Sequence, residues 1–146
     1  MAKTMRAKRL LLLLLVCLLL TGCASQRIPL EIPSVGICVD VEYTFGQRDT
    51  QQTIDREDTA AWWAEYYIGD HNGQGFYNLW DVQPGDEVIF GNVQYTASYS
   101  ITGWSINGVT DENGDPPPKA DLYLLTCLPG GENYQIIIIG IEKQTT

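Results

Sequence analysis

The sequence predicts a mostly-β domain with one short helix, closed as a barrel or stacked as a sandwich. Three observations carry this. Short runs rich in β-branched and aromatic residues recur along the chain, punctuated by glycine, proline, asparagine and aspartate. Only one stretch combines capping acids, an acidic first turn and a glycine after its end. The 146 residues suit a single domain, and four tryptophans and eight tyrosines supply enough apolar matter for a core. That composition excludes global disorder.

Taken in order, residues 24–33 read as a short tether and residues 35–43 as a strand of mixed burial. Residues 48–52 are polar and read as loop. Residues 55–67 read as the one helix, with Asp55 or Asp58 as its cap and Gly69 just past its end. Residues 69–85 are rich in Gly, Asn and Asp and read as a long loop, with Pro84-Gly85 as a turn. Residues 87–90 and 93–101 read as a hairpin joined at Gly91-Asn92. After a turn-rich connection over 107–119, residues 122–127 and 134–141 form the last two strands. The unbroken run Ile136, Ile137, Ile138, Ile139 fits a strand buried on both faces. No internal repeat is visible.

The formal net charge of −9 averages two unlike parts. Residues 1–22 carry +4, from Lys3, Arg6, Lys8 and Arg9. Residues 23–146 hold all 18 acids against Arg27, Arg48, Arg56, Lys119 and Lys143, a net of −13. So acidic a domain repels phosphate backbones, which excludes nucleic acid as a partner.

The basic start runs into eleven apolar residues, 10–20. As a helix these rise about 16 Å, too short to span a bilayer. The pattern reads as a secretory signal. Its end, Leu20-Thr21-Gly22-Cys23, resembles the bacterial lipobox, which implies that Cys23 is lipidated and becomes the first mature residue. Two or more acyl chains anchor a protein stably. The expected organisation is a signal peptide over 1–22, lipidated Cys23 and tether over 23–33, and a domain over 34–146, held outside the cytoplasm. Cys17 leaves with the leader. Cys38 and Cys127 are then the remaining thiols, paired as a disulfide or divided into one buried and one reactive thiol.

His71 is the only histidine, and Cys127 follows it by 56 residues at the end of an apolar strand. A cysteine needs a base or a positive neighbour to become a thiolate, and His71 is the only imidazole available. A histidine in a Gly/Asn loop or a cysteine on an apolar strand is, by itself, more often structural. Trp62 and Trp63 read as core plus one partly exposed ring. The acids of residues 111–115 read as a solvated turn, since their spacing fails the calcium-loop pattern. No metal or cofactor is expected.

Residues 121–127 (DLYLLTC) resemble the sortase active-site strand, Thr-Leu-x-Thr-Cys: Leu124, Thr126 and Cys127 match, and Tyr123 replaces the first threonine. Residues 69–89 resemble the sortase histidine segment through His71, Phe76, Leu79, Gly85 and Asp86. Residues 32–37 resemble that family's first strand, and the likeness covers roughly residues 29–143. It implies a closed β-barrel and a cysteine transpeptidase. Cys127 is then the nucleophile on a sorting-motif peptide of a secreted protein, and His71 is the general acid–base. An amine acceptor resolves the acyl-enzyme. The family's arginine position falls at Gln135, give or take one residue, and no arginine follows Arg56. A neutral amide there implies weak activity or none. The lipid anchor is a second departure, since sortases are usually held by a transmembrane helix. The alternatives are a degenerate sortase fold that binds a peptide without cutting it, and a barrel stapled by Cys38–Cys127.

Overall fold

The computed structural model describes residues 26–105, 109–128 and 135–145. The leader and Cys23 lie outside them. Eight strands close a barrel: β1 (Arg27–Ile32), β2 (Ile37–Tyr43), β3 (Thr59–Trp63), β4 (Tyr67–Gly69), β5 (Glu87–Phe90), β6 (Val93–Ser105), β7 (Leu122–Cys127) and β8 (Gln135–Lys143). Around the barrel they run β1-β2-β3-β4-β7-β8-β6-β5. The β2/β3 and β4/β7 pairs are parallel and the rest antiparallel. A parallel pair needs a crossover. Helix α1 (Gln47–Ile54) supplies it between β2 and β3.

The single helix is therefore one element earlier than the sequence suggests. Residues 48–52 lie inside α1, and most of 55–67 is strand and turn. The Phe45 N–H donates to Asp49 Oδ2 at 2.8 Å, which starts α1 from its third turn position back. Within residues 59–63 (TAAWW) only the two alanines favour a helix, and burial overrides them. Thr59, Ala60 and Ala61 are fully buried beside β2. The reversal into β4 uses Ala64 and Glu65 at φ 50° and 67°, so no glycine or asparagine advertises the turn.

The expected tether also contains structure. In β1, Leu30 and Ile32 point inward between β2 and β5 while Arg27 and Glu31 face out. The period-two signal Ile28, Leu30, Ile32 was masked by Pro29, whose missing N–H argues against a strand. The barrel domain thus begins before residue 34.

The hairpin of β5 and β6, and strands β7 and β8, lie where expected. Ile137, Ile139 and Ile141 fill the barrel interior with Leu30, Val41, Ile68 and Leu124. Ile136 and Ile138 pack on the outer face under Val109 and Leu125. This strand is buried on both sides. The long loop after β4 is not simply solvated: Phe76, Leu79 and Val82 are fully buried and plug the barrel.

Gly140 in β8 pairs with Tyr99 of β6, and a Cβ there would overlap the Tyr99 ring. Overpacking of this kind costs about 1–3 kcal/mol. Gly140→Ala is expected to lose that much unfolding free energy in urea titrations, and an unchanged midpoint would show that the ring moves aside freely.

Candidate active site

Two parallel strands build the site. β4 and β7 pair as Tyr67↔Tyr123, Ile68↔Leu124 and Gly69↔Leu125, a constant offset of 56 residues. That is also the separation of His71 and Cys127. The ladder continues past β4, since the Asp70 N–H donates to the Leu125 carbonyl at 3.2 Å. The Thr126 hydroxyl donates to the Asp70 carbonyl at 2.8 Å, in the buried interior. Register therefore carries His71 and Cys127 to the same end of neighbouring strands.

Both line one small cavity of about 80 Å³. Its walls are mostly apolar: Trp63, Val109, Leu125 and Ile136, with Gln51 and Ile54 from α1. The Trp63 ring lies over Gly69, where no side chain would fit. An open groove of about 760 Å³ adjoins the cavity and shares Gln51, Ile54 and Trp63 with it. Tyr43 and the exposed Phe45 line its far side.

Asp70 fixes the histidine loop. Its Oδ1 accepts from the His71 N–H and its Oδ2 from the Gly75 N–H, both at 2.8 Å. Burial pushes its carboxyl up to about 6, against the opposing pull of those two N–H groups. Asp70, directly beside His71, does not face solvent. It is buried, and its carboxylate accepts from the backbone.

His71 is half-exposed, and its Nε2 lies 3.2 Å from Asp55 Oδ1. Asp55 follows α1 directly, where it caps the C-terminal end instead of opening a helix. Cys127 is half-buried, and burial pushes its thiol up.

Gln135 is not among the residues that line the cavity. It opens β8, is exposed, and its carbonyl accepts from the Leu128 N–H at 3.0 Å. Ile136 is the residue paired with Cys127. Among the described residues no arginine takes the place of Gln135: Arg56 donates to Glu42 and Thr53, and neither Arg48 nor Arg56 lines the cavity.

Cys38 and Cys127 are both free. Two strands, β3 and β4, separate β2 from β7, a gap of roughly 14 Å. A disulfide requires Cα atoms within about 7 Å, so the stapled-barrel alternative falls. Among residues 111–115, Asp111 Oδ1 accepts from the Asn113 and Asp115 N–H groups, the solvated turn expected.

No family model and no curated protein matches the chain. Solved structures do. Sortase A from Corynebacterium diphtheriae superposes with a TM-score of 0.62 at 14% identity, covering 86% of this chain and 64% of that one. The chain thus spans under two thirds of that protein's length. The fold is that of a sortase. Sortase E1 from Streptomyces coelicolor, solved with a tripeptide in its active site, gives 0.64 at 17% identity, covering 83% and 89%. Sortase C from Clostridium perfringens, solved with the C-terminal cell wall sorting motif, gives 0.58 at 15%, covering 81% and 70%. The closed sortase barrel confirms the predicted fold class.

Asp55 is the site neighbour that sequence reasoning missed. It precedes His71 by 16 residues with no motif to link them, and only the α1 crossover brings it there.

Proposed function

We propose that the chain is a sortase-like cysteine transpeptidase, lipidated at Cys23 and held on the outer side of the membrane. The observation that carries the reading is the shared register of β4 and β7, which brings His71 and Cys127 to one cavity. Cys127 Sγ attacks the carbonyl carbon of a scissile peptide bond as its proton passes to His71. Collapse breaks the C–N bond, the proton leaves on the amine, and a thioester remains. An incoming amine gives its proton to His71, forms the new amide bond and releases the thiolate, which takes the proton back.

The apolar groove beside the cavity suits a peptide segment. The tripeptide bound by the Streptomyces enzyme and the sorting motif bound by the Clostridium enzyme support a peptide as that segment, and the amine-bearing acceptor is what the transpeptidase step itself requires. Gln135 offers no cation to the oxyanion, and loss of one such donor typically costs about 10²–10³ in rate. Slow turnover is the expectation.

The test is capture. The full chain is incubated with sorting-motif peptides that carry a thiol-reactive group at the scissile position. One adduct on Cys127 is expected by intact mass and peptide mapping. A bare Cys127, while a known sortase labels fully in parallel, ends this reading.

A second reading is a degenerate sortase fold that binds peptide without cutting it. The exposed Gln135 and the raised thiol favour it. Peptide binding with no turnover, unchanged in Cys127→Ala, is its signature.

A further inference from the structure

The sortase resemblance assigns a cysteine, a histidine and an arginine, and no carboxylate. Yet His71 Nε2 meets Asp55 Oδ1 at 3.2 Å. Gln51 Nε2 donates to the same oxygen at 2.8 Å. Those two hydrogen bonds, Gln51's first, hold the Asp55 carboxyl below the usual range, so it is an anion at neutral pH.

The contact is built in, because the end of α1 and the histidine loop are laced together. With its amide turned so that nitrogen faces the acceptors, Gln74 donates to the Ile54 carbonyl at 2.9 Å, and to the Arg56 carbonyl and Asp70 Oδ1 at 3.3 Å. Asp70 in turn holds the His71 and Gly75 N–H groups. Gln51 and Ile54 of the same helix line the Cys127 cavity. The carboxylate, the imidazole and the thiol thus sit on three elements tied to one another.

We infer that Asp55 is a positioning residue that completes a Cys127–His71–Asp55 relay. The inference rests on the transpeptidase reading and deepens it. A carboxylate on Nε2 fixes that nitrogen as the donor and leaves Nδ1 as the acceptor for the Cys127 proton. When Sγ–H transfers its proton to Nδ1, the imidazolium keeps its second proton on Nε2, shared with Asp55. The positive charge that the family's arginine supplies, and that Gln135 lacks, is not restored by this arrangement: what Asp55 supplies is support for His71⁺ beside a thiolate, while the oxyanion stays without a cation. The chain therefore gives a thiol that burial disfavours as an anion a supported base, and it leaves the tetrahedral intermediate without a charged donor.

The test separates thiol activation from turnover. The full chain is alkylated with iodoacetamide at pH 7, and the rate is read at each cysteine peptide by mass spectrometry. Cys38, exposed and outside the cavity, is the internal control. His71→Ala is expected to slow Cys127 relative to Cys38. Asp55→Asn, which keeps the size and the Gln51 contact, is expected to slow it about tenfold. Asp55→Glu is expected to recover most of the rate, since it restores the charge. If His71→Ala slows Cys127 but Asp55→Asn does not, the relay is wrong and the transpeptidase reading stands. If neither variant changes the ratio, both are wrong.

Discussion

Cys127→Ala is expected to abolish covalent capture and to reduce turnover by on the order of 10⁴ or more, because no other group near the cavity can form the thioester. The fold should survive. Cys127 ends β7, and its pairing with Ile136 is made by the backbone. The side chain is only half-buried, so its truncation costs about 1 kcal/mol or less. Peptide affinity should hold as well, since the groove is lined by Tyr43, Phe45, Ile54 and Trp63, none of them altered. Binding is measured by calorimetry and turnover by product mass. The pairing of intact binding with lost turnover isolates chemistry from recognition. Persistent turnover in the variant removes Cys127 from the mechanism. Equal binding, with no turnover in either protein, selects the non-cutting reading.

The legible parts of the fold were those where local chemistry and tertiary role agree. β7 and β8 announce themselves as apolar runs, and β5 and β6 as a hairpin around Gly91. The illegible part is the crossover from β2 to β4. Residues 47–54 lack an apolar stripe because α1 buries little beyond Thr53. Residues 59–63 look helical because alanine and tryptophan say nothing about which partner strand awaits them. The Ala64–Glu65 turn hides in residues that normally avoid positive φ. The site divides in the same way. Cys127 and His71 were found through motifs, and their 56-residue separation is the strand register that the structure reveals. Asp55 was seen only as a helix cap, because its approach to His71 depends on the helix lying one element earlier.

Asp70 should make stability depend on pH in an unusual direction. Its carboxyl is pushed up to about 6 in the folded chain, against about 3.9 in an unfolded one. Between those values the folded state holds a proton that the unfolded state releases. Unfolding free energy changes with pH as protons bound unfolded minus protons bound folded, which is negative here. Stability from this group is thus fully present below about pH 4 and lost as pH rises through about 6, by about 3 kcal/mol at most. Asp55, Asp58 and Asp111 have carboxyls below the usual range and act in the opposite direction, but under about pH 4, outside this window. Asp70→Asn cannot ionise, and its NH₂ faces one of the two backbone N–H groups that Oδ1 and Oδ2 now satisfy. Leaving one such donor unpaired costs about 1–3 kcal/mol. The variant should therefore be less stable at pH 4–5 and flat across the window, so its deficit narrows, or reverses, by pH 7. Urea midpoints for both proteins from pH 4 to 8 measure this. Parallel curves would mean that Asp70 titrates normally and that the loop is held by Thr126 and Gln74 instead. Converging curves would tie the placement of His71 to a carboxylate that the fold keeps at a cost above pH 6. A residue retained against stability in that way is expected where loop position matters more than loop strength.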